Sequence, residues 1–328
     1  MLIKYLFIVL VSFLCGIIAI SLLFRLAKRE KLLTPKGVPL IGGIAIGLSF
    51  FIASILGLFI HLGLSSQVLG ILMASAIMLI FGVIDDLREL TIAYKFLAQI
   101  IATSLLIIFG VKTQIVYLGN FINVLITFIW VLAITNAFNH LDVMDGLAAG
   151  TAVIVGLAFL VISLLHGDIG TAILSLALSS AIIGFLIYNL PPAKVYMGNS
   201  GSHFLGLILA AIALVISYAP LERKIALLSP ILILGLPIFD TAFLIFARLN
   251  KSKLPFKKSN DHIALRLLKI GFSKSRALLA MLLLCLFFSL SGVLLGRVCN
   301  SLGIIIIVVV ILISLIISYR IRKVPIDD

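Results

Sequence analysis

Asp85 and Asp86 stand side by side at the end of an apolar run, in Phe-Gly-Val-Ile-Asp-Asp-Leu-Arg-Glu. Adjacent carboxylates repel each other unless a cation or a base lies close. Hard oxygen ligands of this kind suit Mg²⁺, which bridges one or two carboxylates to substrate phosphates. A solvated helix end is the plain alternative. A second polar group, Asn136, Asn139, His140, Asp142 and Asp145, fills a segment that has no Lys or Arg. Unneutralised polar residues between apolar runs suggest a pocket. Asn139, Asp142 and Asp145 recur at a spacing of three, which places them near one face of a helical turn. Helix capping accounts for one such residue, not for four. Gly198-Asn199-Ser200-Gly201-Ser202 then opens another apolar run. A helix start of this composition offers free N–H groups and hydroxyls to an anion, although an ordinary capped turn reads the same way. Asp240 follows Pro237 inside an apolar run. An intramembrane carboxylate faces a bundle interior, and two roles stay open for it: a structural hydrogen bond at a broken helix, or a contact with substrate.

The elements that carry these residues are membrane helices. Of the 328 residues, 63% are hydrophobic and 11% charged, with a mean hydropathy of +1.33. A soluble domain carries about 25% charged residues, so the bilayer must be the solvent. The expected class is an all-α polytopic membrane protein forming a single membrane domain. A spanning helix needs about 20 apolar residues. Eleven runs qualify, over 2–24, 38–60, 68–84, 92–110, 121–137, 150–166, 169–188, 203–219, 225–247, 277–296 and 301–319. The first is too long for a signal-peptide core and reads as a retained span. A short interfacial helix is expected near 262–270. With the N-terminus outside and the C-terminus inside, twenty of the 25 Lys and Arg residues fall on the cytoplasmic side, as the positive-inside rule requires. The same orientation puts Glu30, Asp85, Asp86, Glu89, Asp142, Asp145, Asp261, Asp327 and Asp328 at that face, with Asp240 nearby. The net charge of +13 is therefore loop charge rather than a nucleic-acid surface. Cys15, Cys285 and Cys299 lie in or beside apolar runs with no pairing pattern and read as packing residues.

Taken in order, these segments resemble the polyprenyl-phosphate N-acetylhexosamine-1-phosphate transferase family, glycosyltransferase family 4. Pro39-Leu-Ile-Gly42-Gly43 is similar to its early Pro-x-x-Gly-Gly motif, and Asp85-Asp86 with Lys95 and Gln99 to its Asp-Asp and Lys-x-x-x-Gln motifs. Asn136 to Ala148, Met197 to Ser202, Pro237 to Thr241 and Asp261 to Leu267 are similar to four further motifs. The triple-His motif of the MraY branch is absent, which puts the chain nearer the WecA/TagO branch. In two places the chain departs from the family. Asn199 stands where the family has Asp, and Leu265 replaces the second His of the last motif.

The resemblance implies transfer of a sugar-1-phosphate from a UDP-sugar to a polyprenyl phosphate, with release of UMP. It implies a multi-pass enzyme of the plasma membrane with its active site on cytoplasmic loops, working in cell-envelope polysaccharide or glycoconjugate synthesis. Mg²⁺, or Mn²⁺ in its place, is the implied cofactor, with Asp86, Asn139 and Asn199 as ligands. Catalytic roles fall to Asp85, Asp86, Asp142 and His262, and substrate contacts to Lys95, Asn136, Asp145, Asn189 and Arg266. Asp142 and Asp145 would shape the nucleotide pocket, and His262 and Arg266 would reach phosphate or sugar. Related proteins also form homodimers. Two other readings compete: a catalytically weak homologue that binds lipid phosphate or nucleotide, and a secondary transporter using Asp240 and Asp142. Acids near the surface rather than the midplane, without an inverted repeat, weigh against the transporter.

Overall fold

In hydrocarbon every backbone polar group must be satisfied within the chain, so a sequence this apolar resolves into helices. The structure, a computed structural model, describes residues 2–29, 37–61, 64–218, 222–250 and 261–324. The expectations for Glu30, Lys31, Lys36, Lys251, Lys253, Lys257, Lys258, Asp327 and Asp328 lie outside the described residues. The helices are α1 (Leu2–Arg29), α2 (Gly42–His61), α3 (Ser66–Arg88), α4 (Ile92–Ile108), α5 (Asn120–Leu141), α6 (Leu147–Leu165) and α7 (Ile169–Asn189). They continue with α8 (Gly198–Val215), α9 (Ser229–Ile233), α10 (Gly235–Leu249), α11 (Ile263–Lys269), α12 (Lys274–Leu295) and α13 (Asn300–Ile321).

Among the described residues, nine helices are long and apolar enough to cross a bilayer. The remaining two of the eleven expected runs differ in form. The fourth is α4, only 17 residues long. The ninth is broken: a short 3-10 turn and α9 meet α10 at an angle of 74°. Pro237 explains the break. It has no N–H to give to the Ile233 carbonyl one turn earlier, and the Ser289 hydroxyl of α12 donates to that carbonyl instead, at 3.0 Å. The expected interfacial helix is α11.

The core is built around α8, whose residues from Ser200 to Ala213 are all buried. It packs chiefly against α3 and α5, then α2. Contact with α3 is backbone to backbone, because a Cβ on Gly82 would overlap Ser200 Cα. Small residues allow this close approach between membrane helices. Hydroxyls inside the bundle are satisfied locally: Ser49, Thr103, Thr127 and Ser179 each donate to the carbonyl four residues earlier. By contrast α13 buries only Gly303 and Val310. Its remaining apolar surface suits lipid.

Candidate active site

The polar ends of α3, α5 and α8 meet at one place. Asp86, in the last turn of α3, aims its carboxylate at the first turn of α8. The Asn199 N–H donates to Asp86 Oδ1 at 2.7 Å and the Ser200 N–H donates to Oδ2 at 3.0 Å. The anion expected at the start of α8 is thus supplied by the protein itself. It satisfies two of the orphan N–H groups that a helix start leaves open and sits at the positive end of the helix dipole. Gly198 makes this approach possible. Its φ is +74°, and a Cβ there would lie 2.6 Å from Asp86 Oδ2.

Asn139, in the last turn of α5, faces the same point. Its Nδ2 donates to Asn199 Oδ1 at 3.1 Å and to Ser202 Oγ at 2.9 Å. The three residues expected to hold a metal are therefore joined directly, Asp86 through the backbone of Asn199 and Asn139 through its side chain. The expected geometry of Asn139, Asp142 and Asp145 is corrected, as is the placing of the site on loops. α5 runs on to Leu141, so Asn136 and Asn139 are helical, whereas Asp142 ends the helix and Asp145 lies in the turn beyond.

Asp142 accepts no hydrogen bond from any described residue. Burial, reinforced by the carboxylates of Asp86 and then Asp145, pushes its carboxyl from 3.8 up to about 7. The fold therefore holds this proton more tightly than the unfolded chain does. Its contribution to stability is complete below pH 4 and is lost as pH rises through about 7. Thermal unfolding in the absence of divalent cations is expected to shift to lower temperature between pH 5 and 8. Asp142→Asn flattens that part of the profile; an unchanged slope in the variant would assign the effect elsewhere.

Asp85, fully buried, pairs with Lys95 of α4, Nζ to Oδ2 at 2.6 Å. Its other oxygen accepts from the Leu90 N–H at 2.8 Å. Lys95 is the cation nearest this pair of acids, and 27% of its side chain stays exposed. A ligand can therefore still reach it.

Three of the expected contact residues tie elements of the bundle together. Asn136 exchanges hydrogen bonds with Gln99, at 2.8 and 3.3 Å, and also donates to the Leu132 carbonyl. Asn189 is buried. It accepts from the Gly146 N–H and donates to the Val195 carbonyl, both at 2.9 Å, so it ties the α5–α6 turn to the α7–α8 loop. Asp145 strengthens the same tie by accepting from the Ala193 N–H at 3.3 Å. The Pro39–Gly43 segment braces that loop from the other side. Tyr196 N–H donates to the Pro39 carbonyl, while Gly42 and Gly43 donate to the carbonyls of Tyr196 and Met197.

Arg266 makes its contacts within the protein. Its Nη2 binds Asp261 at 2.6 Å, and its Nη1 donates to the carbonyls of Ile321, Arg322 and Val324 at the end of α13. A buried guanidinium with its donors engaged at a helix C-terminus fastens α11 to α13. His262 is buried beside Asp240, Nδ1 to Oδ2 at 2.7 Å. His140 was given no role of its own from the sequence, and His203 was not singled out at all. His140 neighbours Asn139 in the last turn of α5. His203, one turn beyond Asn199, is buried with neither ring nitrogen bonded to a described residue. The available signal was a lone His in an otherwise apolar helix.

The donors at the Asp86 site are hard oxygens, which suit Mg²⁺. Asn139 Oδ1 and the Asp142 carboxylate are free of hydrogen bonds from described residues. Among the described residues no three His, Cys, Asp or Glu side chains form a metal cage. A cation here would be held by Asp86, amide oxygens of Asn139 and Asn199, and substrate phosphates. Mg²⁺ sites of that open kind are common where phosphates are handled.

Residues 68–217 match the family described as glycosyl transferase family 4. The chain is 30% identical over 284 residues to a probable undecaprenyl-phosphate N-acetylglucosaminyl 1-phosphate transferase of Bacillus subtilis, covering 79% of this chain and 77% of that protein. It is 32% identical over 277 residues to the decaprenyl-phosphate N-acetylglucosaminephosphotransferase of Mycobacterium tuberculosis, covering 74% and 68%. A putative UDP-N-acetylglucosamine–dolichyl-phosphate N-acetylglucosaminephosphotransferase of Sulfolobus acidocaldarius is 31% identical over 227 residues, covering 63% and 69%. With residues 68–217 matching the family and a relative covered over three quarters of its length, the chain belongs to glycosyl transferase family 4.

Proposed function

We propose that the protein transfers N-acetylhexosamine-1-phosphate from a UDP-sugar to a polyprenyl phosphate, releasing UMP and leaving a polyprenyl-diphosphate sugar in the membrane. One observation carries the reading: Asp86, Asn139 and Asn199 meet at the start of α8 beside the Asp85–Lys95 pair. An oxygen of the lipid phosphate attacks the β-phosphorus of the UDP-sugar, and the bond from that phosphorus to the bridging oxygen breaks. Two anions must be brought together, so the work is positioning and charge neutralisation rather than proton abstraction. Lys95 is the cation that reaches the diphosphate, and Asp85 holds it in place. Asp86, with the amide oxygens of Asn139 and Asn199, would hold a Mg²⁺, which would supply Lewis-acid stabilisation of the leaving group. Asp142, protonated near neutrality, lines the nucleotide side without adding a third full negative charge. The distribution of Lys and Arg supports placing this face in the cytoplasm of a cell membrane.

The test is a purified assay with Mg²⁺, polyprenyl phosphate and a panel of UDP-sugars, starting with the N-acetylglucosamine that appears in the relatives' names. UMP release that requires the lipid supports the reading. No UMP from any sugar, in a folded sample, would overturn it.

Asn199 favours a second reading, a weak enzyme, because an amide contributes no charge to the cation. Asn199→Asp keeps the acceptor that Asn139 uses, at 3.1 Å, and adds a carboxylate near Asp86. The variant is expected to reach half-maximal activity at about tenfold lower Mg²⁺, since affinity follows ligand charge. Its thermal stability should also respond more steeply to Mg²⁺. Equal Mg²⁺ responses in the two proteins would show that the amide costs nothing.

A further inference from the structure

We infer that Asp240 is the positioning residue for His262, fixing the imidazole so that Nε2 is the nitrogen turned to the phosphates. The inference rests on the transferase reading. Both side chains are buried, Asp240 1% and His262 3% exposed. The Asp240 carboxylate divides its oxygens between two jobs. Oδ2 meets His262 Nδ1 at 2.7 Å, and Oδ1 accepts the Ile263 N–H, the first of α11, at 3.0 Å. A carboxylate accepts and an imidazole must then donate, so the proton sits on Nδ1 and Nε2 is left for a ligand. No described residue hydrogen-bonds Nε2.

Two structural features aim this pair at the site. The break at Pro237 turns α10 and sets Asp240 against the start of α11. α10, which carries Asp240, packs against α5, the helix whose last turn carries Asn139 and His140. Anchoring α11 alone would require one oxygen, and an asparagine would serve. The second oxygen, spent on the ring, is what asparagine cannot replace: its Nδ2 would donate to Nδ1 and favour the opposite tautomer.

Two measurements on the full chain in detergent test this. Nitrogen-15 NMR of histidine-labelled protein, with His262→Gln to assign the resonance, is expected to show Nδ1 protonated in the wild type and Nε2 protonated in Asp240→Asn. In turnover, Asp240→Asn and His262→Gln should each lower kcat by about 100-fold, and the double variant should be no slower than His262→Gln, because the two act as a unit. An unchanged tautomer in Asp240→Asn would overturn the inference. So would losses that multiply in the double variant, which would mark independent roles. If the wild type releases no UMP, the transferase reading fails, while the NMR comparison still decides the Asp240–His262 relation.

Discussion

Asp86→Ala is expected to lower UMP release by about 10³-fold or more, the scale of removing a preorganised electrostatic group from a reacting centre. The variant also strips two N–H groups at the start of α8 of their acceptor. Losing a helix cap costs about 1–2 kcal/mol, so some loss of stability must accompany the loss of activity. Asp86→Asn separates the effects. Its single amide oxygen keeps one of the two bonds, and its Nδ2 faces the other N–H. Stability should fall by a similar amount in both variants. Turnover per folded molecule should be lost in both, because neither supplies the negative charge. Thermal unfolding and UMP release on the same samples measure the two quantities. Near-normal turnover in folded Asp86→Asn would remove Asp86 from the reaction and leave it as a cap.

Lys95→Met has the second large effect, and it acts on stability as much as on activity. It abandons a fully buried Asp85 whose Oδ2 meets the Lys95 ammonium at 2.6 Å. Removing one partner of a buried ion pair costs about 3–5 kcal/mol; the part-exposed lysine puts this pair at the lower end. Replacing both members is far milder, because no charge is left stranded. Asp85→Asn/Lys95→Met is therefore expected to recover most of the stability lost in Lys95→Met and none of the turnover. Recovery of turnover together with stability would reduce the pair to a structural brace.

The sequence placed the acids at one end of the bundle because hydropathy and basic-residue counts constrain every helix at once. The grouping of Asp86, Asn139 and Asn199 came from the family resemblance, and the structure joins the three at the start of α8. The sequence did not show what each side chain spends its bonding capacity on. Arg266 looked available for phosphate because the carbonyls that occupy it, at the end of α13, lie more than fifty residues away. Asn189 looked like a ligand because its two backbone partners sit on different loops. Pro39–Gly43 carries no chemistry of its own, and its bracing of Tyr196 and Met197 becomes visible only when α2 is packed on α8. The division of the Asp240 oxygens depended on a helix break whose angle no periodicity reports.

The fate of the β-phosphorus tests the central claim most directly. UDP-N-acetylglucosamine labelled at the β-phosphate is incubated with the purified protein, Mg²⁺ and polyprenyl phosphate, and the label is followed between lipid and aqueous phases. The account predicts that label passes into the lipid phase in equal amount with unlabelled UMP in the aqueous phase. Label retained in the aqueous phase, whether as UDP or as free sugar phosphate, would contradict it.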